Sequence, residues 1–406
     1  MEALGIIVEY NPFHNGHAYH IKESLKSTGA DLVIAVMSGN FLQRGEPAMA
    51  GKWARARMAL LGGSDLVFEL PYPFAAQQAN IFARGSVGIL EAAGCSHVCF
   101  GSEAGSIDAF LEAEAFLRRN GSAYDQSVKE FSKSGFSYPR AASLAFEALS
   151  GSGSILDLSK PNNILGLQYV RAIKDQTCSI KPCTIKRIGS GYHDESLHSK
   201  SLASATGIRK AIFEDGASPE AVKDQIPLST YEELTSYHAQ YGTFHNWELY
   251  WPFLQYRIIS SSISELNLIY EAEEGLEYRF KEMANTARTF QEFISLVKTK
   301  RYTWTRLQRA ALNILNNVKK EEMGAAGTGP GYLRLLGMNR KGRQYLNENK
   351  KKLGLPLITR PSSFKKELSL DLRASSIYAL PLEPGRRKKA LKREYMPPVF
   401  LDGEQK

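Results

Sequence analysis

A chain of 406 residues that is 43% hydrophobic and 10% aromatic is globular and too long for one ordinary core, so two or three domains are expected. No window approaches the roughly 18 apolar residues of a membrane span, the N-terminus reads as a strand rather than a signal peptide, and four cysteines are too few for a disulfide scaffold; a reducing cytoplasm is the simplest home. The net charge of +9 is lopsided: residues 1–215 carry 21 basic and 21 acidic side chains, so the whole excess lies beyond residue 215. A neutral catalytic half followed by a half that meets a polyanion is the division this implies.

The chain opens with an apolar run over residues 4–8 that stops at Glu9, Tyr10, Asn11 and Pro12. Phe13 and then His14, Asn15, Gly16 and His17 follow, and a mixed stretch through Ala18, Tyr19 and His20 continues to residue 26 without a breaker. This predicts a buried strand, a tight turn and a helix, with two histidines and a glycine where the helix begins. Free N–H groups and the positive dipole end make such a start a ready anion site, and Gly16 lets a phosphate approach backbone. The competing reading is that both histidines merely cap the turn.

Further strands are predicted over 31–37, 65–70, 97–100 and 179–188, with helices over 52–61, 78–93, 106–150, 160–174 and from 204 onward. The third strand is closed by Pro71 and Pro73, and an Asn is expected to cap the helix that follows Lys160 and Pro161. Alternating strands and helices imply a Rossmann-like, doubly wound parallel sheet, whose ligands bind outside the carboxyl ends of the strands. The turn at His14, the loop at Gly39 and the turn at Gly101 should all lie on that edge. Cys95, His97 and Cys99 have a metal-like look, but buried thiols rather than a zinc site are expected.

Beyond about residue 219 the pattern is mainly helical and basic. Lys298, Lys300, Arg301, Arg306 and Arg309 interleave with Tyr302 and Trp304; Arg340, Lys341 and Arg343 form another group; Arg386, Arg387, Lys388 and Lys389 form a third. Basic side chains mixed with aromatics can neutralise phosphates and stack bases, although helical aromatics are often simply core.

With Ser204, Thr206 and Arg209 at a second helix start, the first half resembles the HIGH-motif nucleotidylyltransferase superfamily. Over its whole length, through Asn-Pro-Phe-His-Asn-Gly-His at 11–17, Phe-Gly-Ser-Glu at 100–103, Lys-Pro-Asn-Asn at 160–163 and the basic tail, the chain is similar to the bacterial tRNA(Met) cytidine acetate ligases. That resemblance implies a catalytic domain over 1–215, with a helical insertion near 106–150, and a tRNA-binding region over 216–406. It implies ATP as substrate, accompanied by Mg2+, with no structural metal, membrane or obligate protein partner. ATP would be held by Ile7, Val8, Glu9, Tyr10, Asn11, Pro12, Phe13, His14, Asn15, Gly16, His17, Ala18, Tyr19, His20, Gly101, Asn162 and Arg187. His14 and His17 would be catalytic, and Lys200, Ser204, Thr206 and Arg209 are further candidates for phosphate contact. The implied reaction joins acetate to ATP and then to N4 of the wobble cytidine of elongator tRNA(Met), with Arg301, Arg306 and the 386–389 group candidates for holding the RNA. On the residues alone, a small-molecule adenylyltransferase or a non-catalytic nucleotide- and RNA-binding protein stays open.

Overall fold

The computed structural model describes residues 1–151, 155–187, 204–214, 216 and 218–402. Its centre is an eight-stranded sheet. Strands β1 (Ala3–Val8), β2 (Leu32–Ser38), β3 (Leu66–Leu70), β4 (His97–Ser102) and β5 (Lys181–Lys186) run parallel in the order β5-β4-β1-β2-β3. Every residue of β2 and β3 is buried, which is why these runs read as continuously apolar: helices cover both faces. The pleat sorts β2 cleanly. Leu32, Ile34 and Val36 enter one core, beneath the helices Ala79–Ala92 and Pro161–Asp175, while Val33, Ala35 and Met37 enter the other. That second core lies against α1 (Asn15–Thr28), α2 (Lys52–Leu61) and the helix Leu228–Tyr241.

The mainly helical C-terminal region packs a third core around Trp247, Tyr250, Phe280, Phe293 and Leu312. It also returns to the sheet, which its helical periodicity does not announce. Strand β6 (Leu333–Asn339) runs antiparallel along β3, with β7 (Leu357–Ile358) and β8 (Val399–Leu401) along its other side. The register sets Glu69 opposite Arg334. Their side chains pair at 3.0 Å, while Lys52 Nζ lies 2.8 Å from Glu69 and 2.9 Å from Glu394, and Arg334 lies 2.8 Å from Glu394. Two cations and two anions, all buried, thus fasten the C-terminal segment to the edge of the parallel sheet.

The stretch expected to be helical over 106–150 is so, as three helices, Ile107–Arg119, Gly121–Lys133 and Tyr138–Ser150. Among the described residues the strand expected over 179–188 runs Lys181–Lys186. One local expectation is corrected. Asn162 is not the cap of its helix. Lys160 takes the cap position, Pro161 the first turn, and Glu103 from the end of β4 supplies the acceptor, its Oε2 receiving the Asn163 N–H at 3.0 Å. A carboxylate brought by the fold does at this dipole end what a neighbouring Asn does elsewhere. Cys95 and Cys99 belong to cores on opposite faces, and both thiols are free.

Candidate nucleotide site

The chain winds from β1 through β2 to β3 on one side and then crosses back to place β4 and β5 on the other. Between β1 and β4 the order reverses, which opens a crevice at the carboxyl edge where ligands of such sheets bind. The 9–17 turn fills the β1 side. Tyr10 adopts a left-handed backbone, φ 49°, and Asn11–Pro12 is a cis peptide. Burial of the Tyr10 and Phe13 rings stabilises this bend: their centroids are 4.8 Å apart, and Phe13 packs so tightly on Gly62 that a β-carbon there would stand 2.3 Å from its Cζ. Asn11 fixes the far side, its Oδ1 accepting from Met49 N–H at 2.7 Å.

His14 is the N-cap of α1. Gly16 N–H donates to His14 Nδ1 at 3.0 Å, and His14 N–H donates to His17 Nδ1 at 3.2 Å. Both histidines therefore do cap the turn, and capping sets their chemistry. A ring nitrogen that accepts carries no proton, so each neutral imidazole bears its proton on Nε2 and presents a donor. Burial, reinforced by Arg187, pulls His14 down to about 4, and burial with His14, His20 and Arg187 lowers His17 well below the ordinary histidine value. The rings stack at 3.7 Å, which two imidazolium ions would resist. The turn holds two neutral N–H donors at the N-terminus of α1, whose Gly16, His17 and Ala18 N–H groups are all engaged by His14.

The β4 side supplies Gly101 and, across β5, Arg187. A β-carbon on Gly101 would stand 3.3 Å from Arg187 Cγ and 3.8 Å from the His20 ring, so these three side-chain positions meet where β4 ends. His20 Nε2 is buried without a hydrogen-bond partner among the described residues. Arg187 is exposed, its N–H tied to Ser102 O at 2.8 Å. Asn162 reaches the same edge through Glu103, donating to Oε1 at 2.7 Å. Asn163, which sequence reasoning passed over, accepts from the Glu103 and Ala104 N–H groups at 3.1 Å each and so clamps the loop after β4. Its only sequence cue is the doubled Asn after Lys160-Pro161.

Ser204 Oγ accepts from Gly207 N–H, and Arg209 donates to Asn11 O at 3.0 Å and lies 3.6 Å from Glu46. Arg209 is thus braced against the back of the turn; Thr206 lies 3.5 Å from it. Lys200 falls outside the described residues. Ile7 and Val8 are the half-exposed end of β1, and Asn15, Ala18 and Tyr19 lie half-buried on the first turns of α1. Glu9, whose carboxyl is raised by burial, accepts from Gln43 N–H at 2.7 Å and joins the turn to the loop after β2. Among the described residues no three His, Cys, Asp or Glu side chains are grouped to hold a metal ion.

The basic side chains of the second half have divided duties. Arg301 and Arg306 share Glu274 at 3.2 Å each and flank the Tyr302 ring. Tyr302 is buried, and Trp304 packs on the helical core. Arg309 is buried against Glu271. Arg387 spends its guanidinium on the carbonyls of Leu380 and Leu382, and Arg386 packs on Gly242, whereas Lys388 and Lys389 are exposed.

The HIGH Nucleotidyl Transferase family model matches residues 1–394. A tRNA(Met) cytidine acetate ligase from Geobacillus sp. (strain WCH70) is 49% identical over 403 residues, covering 99% of this chain and 100% of that protein. The one from Bacillus subtilis (strain 168) is 47% identical over 400 residues, 97% and 96% of the two chains. The crystal structure of Thermotoga maritima TmcAL bound with alpha-thio ATP superposes with a TM-score of 0.90 at 33% identity, covering 99% of this chain and 100% of that one. A crevice at the strand-order reversal, a capped His-Asn-Gly-His turn inside it and likeness at this level over the full length agree: the chain belongs to the HIGH Nucleotidyl Transferase family, among the tRNA(Met) cytidine acetate ligases.

Proposed function

We propose that this protein uses ATP to join acetate to N4 of the wobble cytidine of elongator tRNA(Met). The observation that carries the reading is the pair of neutral Nε2–H donors fixed at the capped start of α1, in a chain that matches ligases of that name end to end. In the first step an acetate oxygen attacks the α-phosphorus, the bond to the bridging oxygen breaks, and pyrophosphate leaves. In the second the cytidine amine attacks the acetyl carbon, AMP leaves, and the amine loses a proton. The first step asks little covalent work of the protein, so positioning and charge neutralisation supply the acceleration. His14 and His17 donate to phosphate oxygens, the α1 dipole favours their charge, and Arg187 offers a planar fork to the leaving pyrophosphate. Gly101 lets the nucleotide lie close to β4, with Asn162 beside it. Mg2+ would come with the triphosphate, whose oxygens would supply most of its ligands, and would neutralise phosphate charge there.

On this reading residues 1–215 carry adenylation and residues 216–406 present the RNA, with Lys388 and Lys389 the freest of the basic candidates. The test is incubation of the purified protein with ATP, labelled acetate and tRNA(Met) transcript. N4-acetylcytidine, AMP and pyrophosphate in equal amounts are expected; absence of acetylcytidine with folded protein sinks the proposal. Replacing His17 with Ala should lower acetyl-adenylate formation by about 10²–10³-fold while leaving tRNA affinity nearly unchanged. Equal loss of both would mean that His17 serves folding alone.

A further inference from the structure

A cavity of about 340 Å³ lies away from the β1/β4 crevice, between α2, the helix Leu228–Tyr241 and the basic helix Pro384–Arg393. Small-ligand cavities run from about 300 to 1,000 Å³, so this one suits a single planar ring system with little more. Aromatic groups form its walls: Trp53, Tyr237, Tyr241 and Tyr378. Arg393 lies over the Trp53 ring at 4.0 Å, and Trp53 Nε1 donates to Glu394 at 2.8 Å, so the indole is held in place from its face and its edge. Ser236 and Gln240, both exposed, put a hydroxyl and an amide at the lining. Rigid aromatic walls with scattered donors and acceptors suit a heteroaromatic ring better than a flexible chain.

The surroundings indicate which heteroaromatic. The helix Pro384–Arg393 has no buried residue and leaves Lys388, Lys389 and Lys392 in solvent, while Ala390 and Arg393 on the same helix line the cavity. Phe400 borders this cavity and also a basin where Arg340 pairs with Asp402 at 2.8 Å beside Glu348, while Arg343 lies 4.7 Å from the Phe400 ring. An aromatic slot with exposed lysines on one side and Arg343 on the other is an arrangement that receives an unstacked base while the backbone phosphates run outside. The inner wall is tied to the nucleotide turn: Tyr378 Oη donates to Ala48 O at 2.7 Å, and the next residue, Met49, is the one held by Asn11.

We infer that this cavity holds one unstacked base of the RNA strand, at a site separate from the ATP crevice. The inference rests on the acetate-ligase reading for the identity of the RNA. A tryptophan at Ser236 would fill the slot from an exposed helix position, so Ser236→Trp is the test, Ser236→Ala its control and Gln240→Trp a second filler should the first misfold. Binding of a synthetic anticodon stem-loop at fixed salt should weaken roughly five- to hundredfold in either Trp variant and far less in Ser236→Ala, which removes one hydroxyl but leaves the slot open. Scanning abasic substitutions through the loop should then find one position whose loss of affinity does not add to that of Ser236→Trp. Unchanged affinity in folded Trp variants, or full additivity at every position, overturns the inference. If Ser236→Trp abolishes saturable binding of cytidine monophosphate but leaves the stem-loop affinity intact, the cavity takes a free nucleotide and the RNA assignment falls. Pyrophosphate release from ATP and acetate without RNA is measured on the wild-type protein alongside. Its absence would count against the ligase reading and leave the base site to be judged by the stem-loop affinities.

Discussion

At Gly16 a missing side chain decides the state of another residue. A β-carbon there would stand 2.9 Å from Cε1 of the His14 ring, so Ala at this position forces the imidazole off its cap. Gly16→Ala should cost about 1 kcal/mol of stability through the lost cap and weaken ATP binding more than that cost explains. Comparison of the urea midpoint with an ATP titration checks it, and a stability loss with normal affinity would separate the cap from the nucleotide. The same cap sets a pH dependence. The folded protein favours neutral His14, with its pKa at about 4 against an ordinary 6.5. Its contribution to stability is therefore present above about 6.5 and disappears as the pH falls through about 4. His14→Asn retains a cap acceptor but cannot titrate, so the fall in urea midpoint between pH 6.5 and 4 should be shallower than in wild type. Equal slopes would place the titration elsewhere. The turn itself was readable, because His14, Gly16 and His17 act on one another within three positions. That capping takes one nitrogen of each ring and leaves the proton on the opposite one was not, since the sequence does not reveal which nitrogen faces which way.

At the scale of elements, the antiparallel β6 is the joint between the two halves, and its buried ions make it unforgiving. Arg334→Met leaves Glu69 and Glu394 short of a counter-charge and should cost about 3–5 kcal/mol, measured by chemical unfolding. A cost below about 1 kcal/mol would mean that water reaches the cluster. Burial alone would raise the Glu394 carboxyl, but Lys52 and Arg334 outweigh it and hold it at about 2 against an ordinary 4.5. This contribution is present above about 4.5 and is lost as the pH falls toward 2. The parallel strands were found from their apolar runs, several to within one residue of their ends. The three C-terminal strands were not. β7 and β8 have two and three residues, and β6 stands among long helical stretches whose periodicity dominates any wider window.

For the whole molecule, the excess charge beyond residue 215 becomes a question of which cations are free. Arg309, Arg334 and Arg387 are committed to internal partners, whereas Lys388 and Lys389 face solvent beside the aromatic cavity. Lys388→Gln with Lys389→Gln should make the slope of log affinity for tRNA against log salt shallower by about 1.4 to 1.8, with RNA-independent pyrophosphate release unaffected. An unchanged slope would move the RNA path off this helix. Among the described residues no helix is long and apolar enough to cross a membrane.

The sequence by itself determined what depends on near neighbours: the strand, turn and helix that carry His14 and His17, the parallel alternation, the position of the charge excess, and through these motifs the family. Tertiary structure alone decided what depends on distant partners. Lys52 meets Ser375 across 323 positions, Glu103 caps a helix begun 58 residues later, and Trp53 shares a cavity with Arg393. Such pairings leave no periodicity behind, because a buried charge or an aromatic wall looks the same in sequence as an exposed one until the fold supplies its partner.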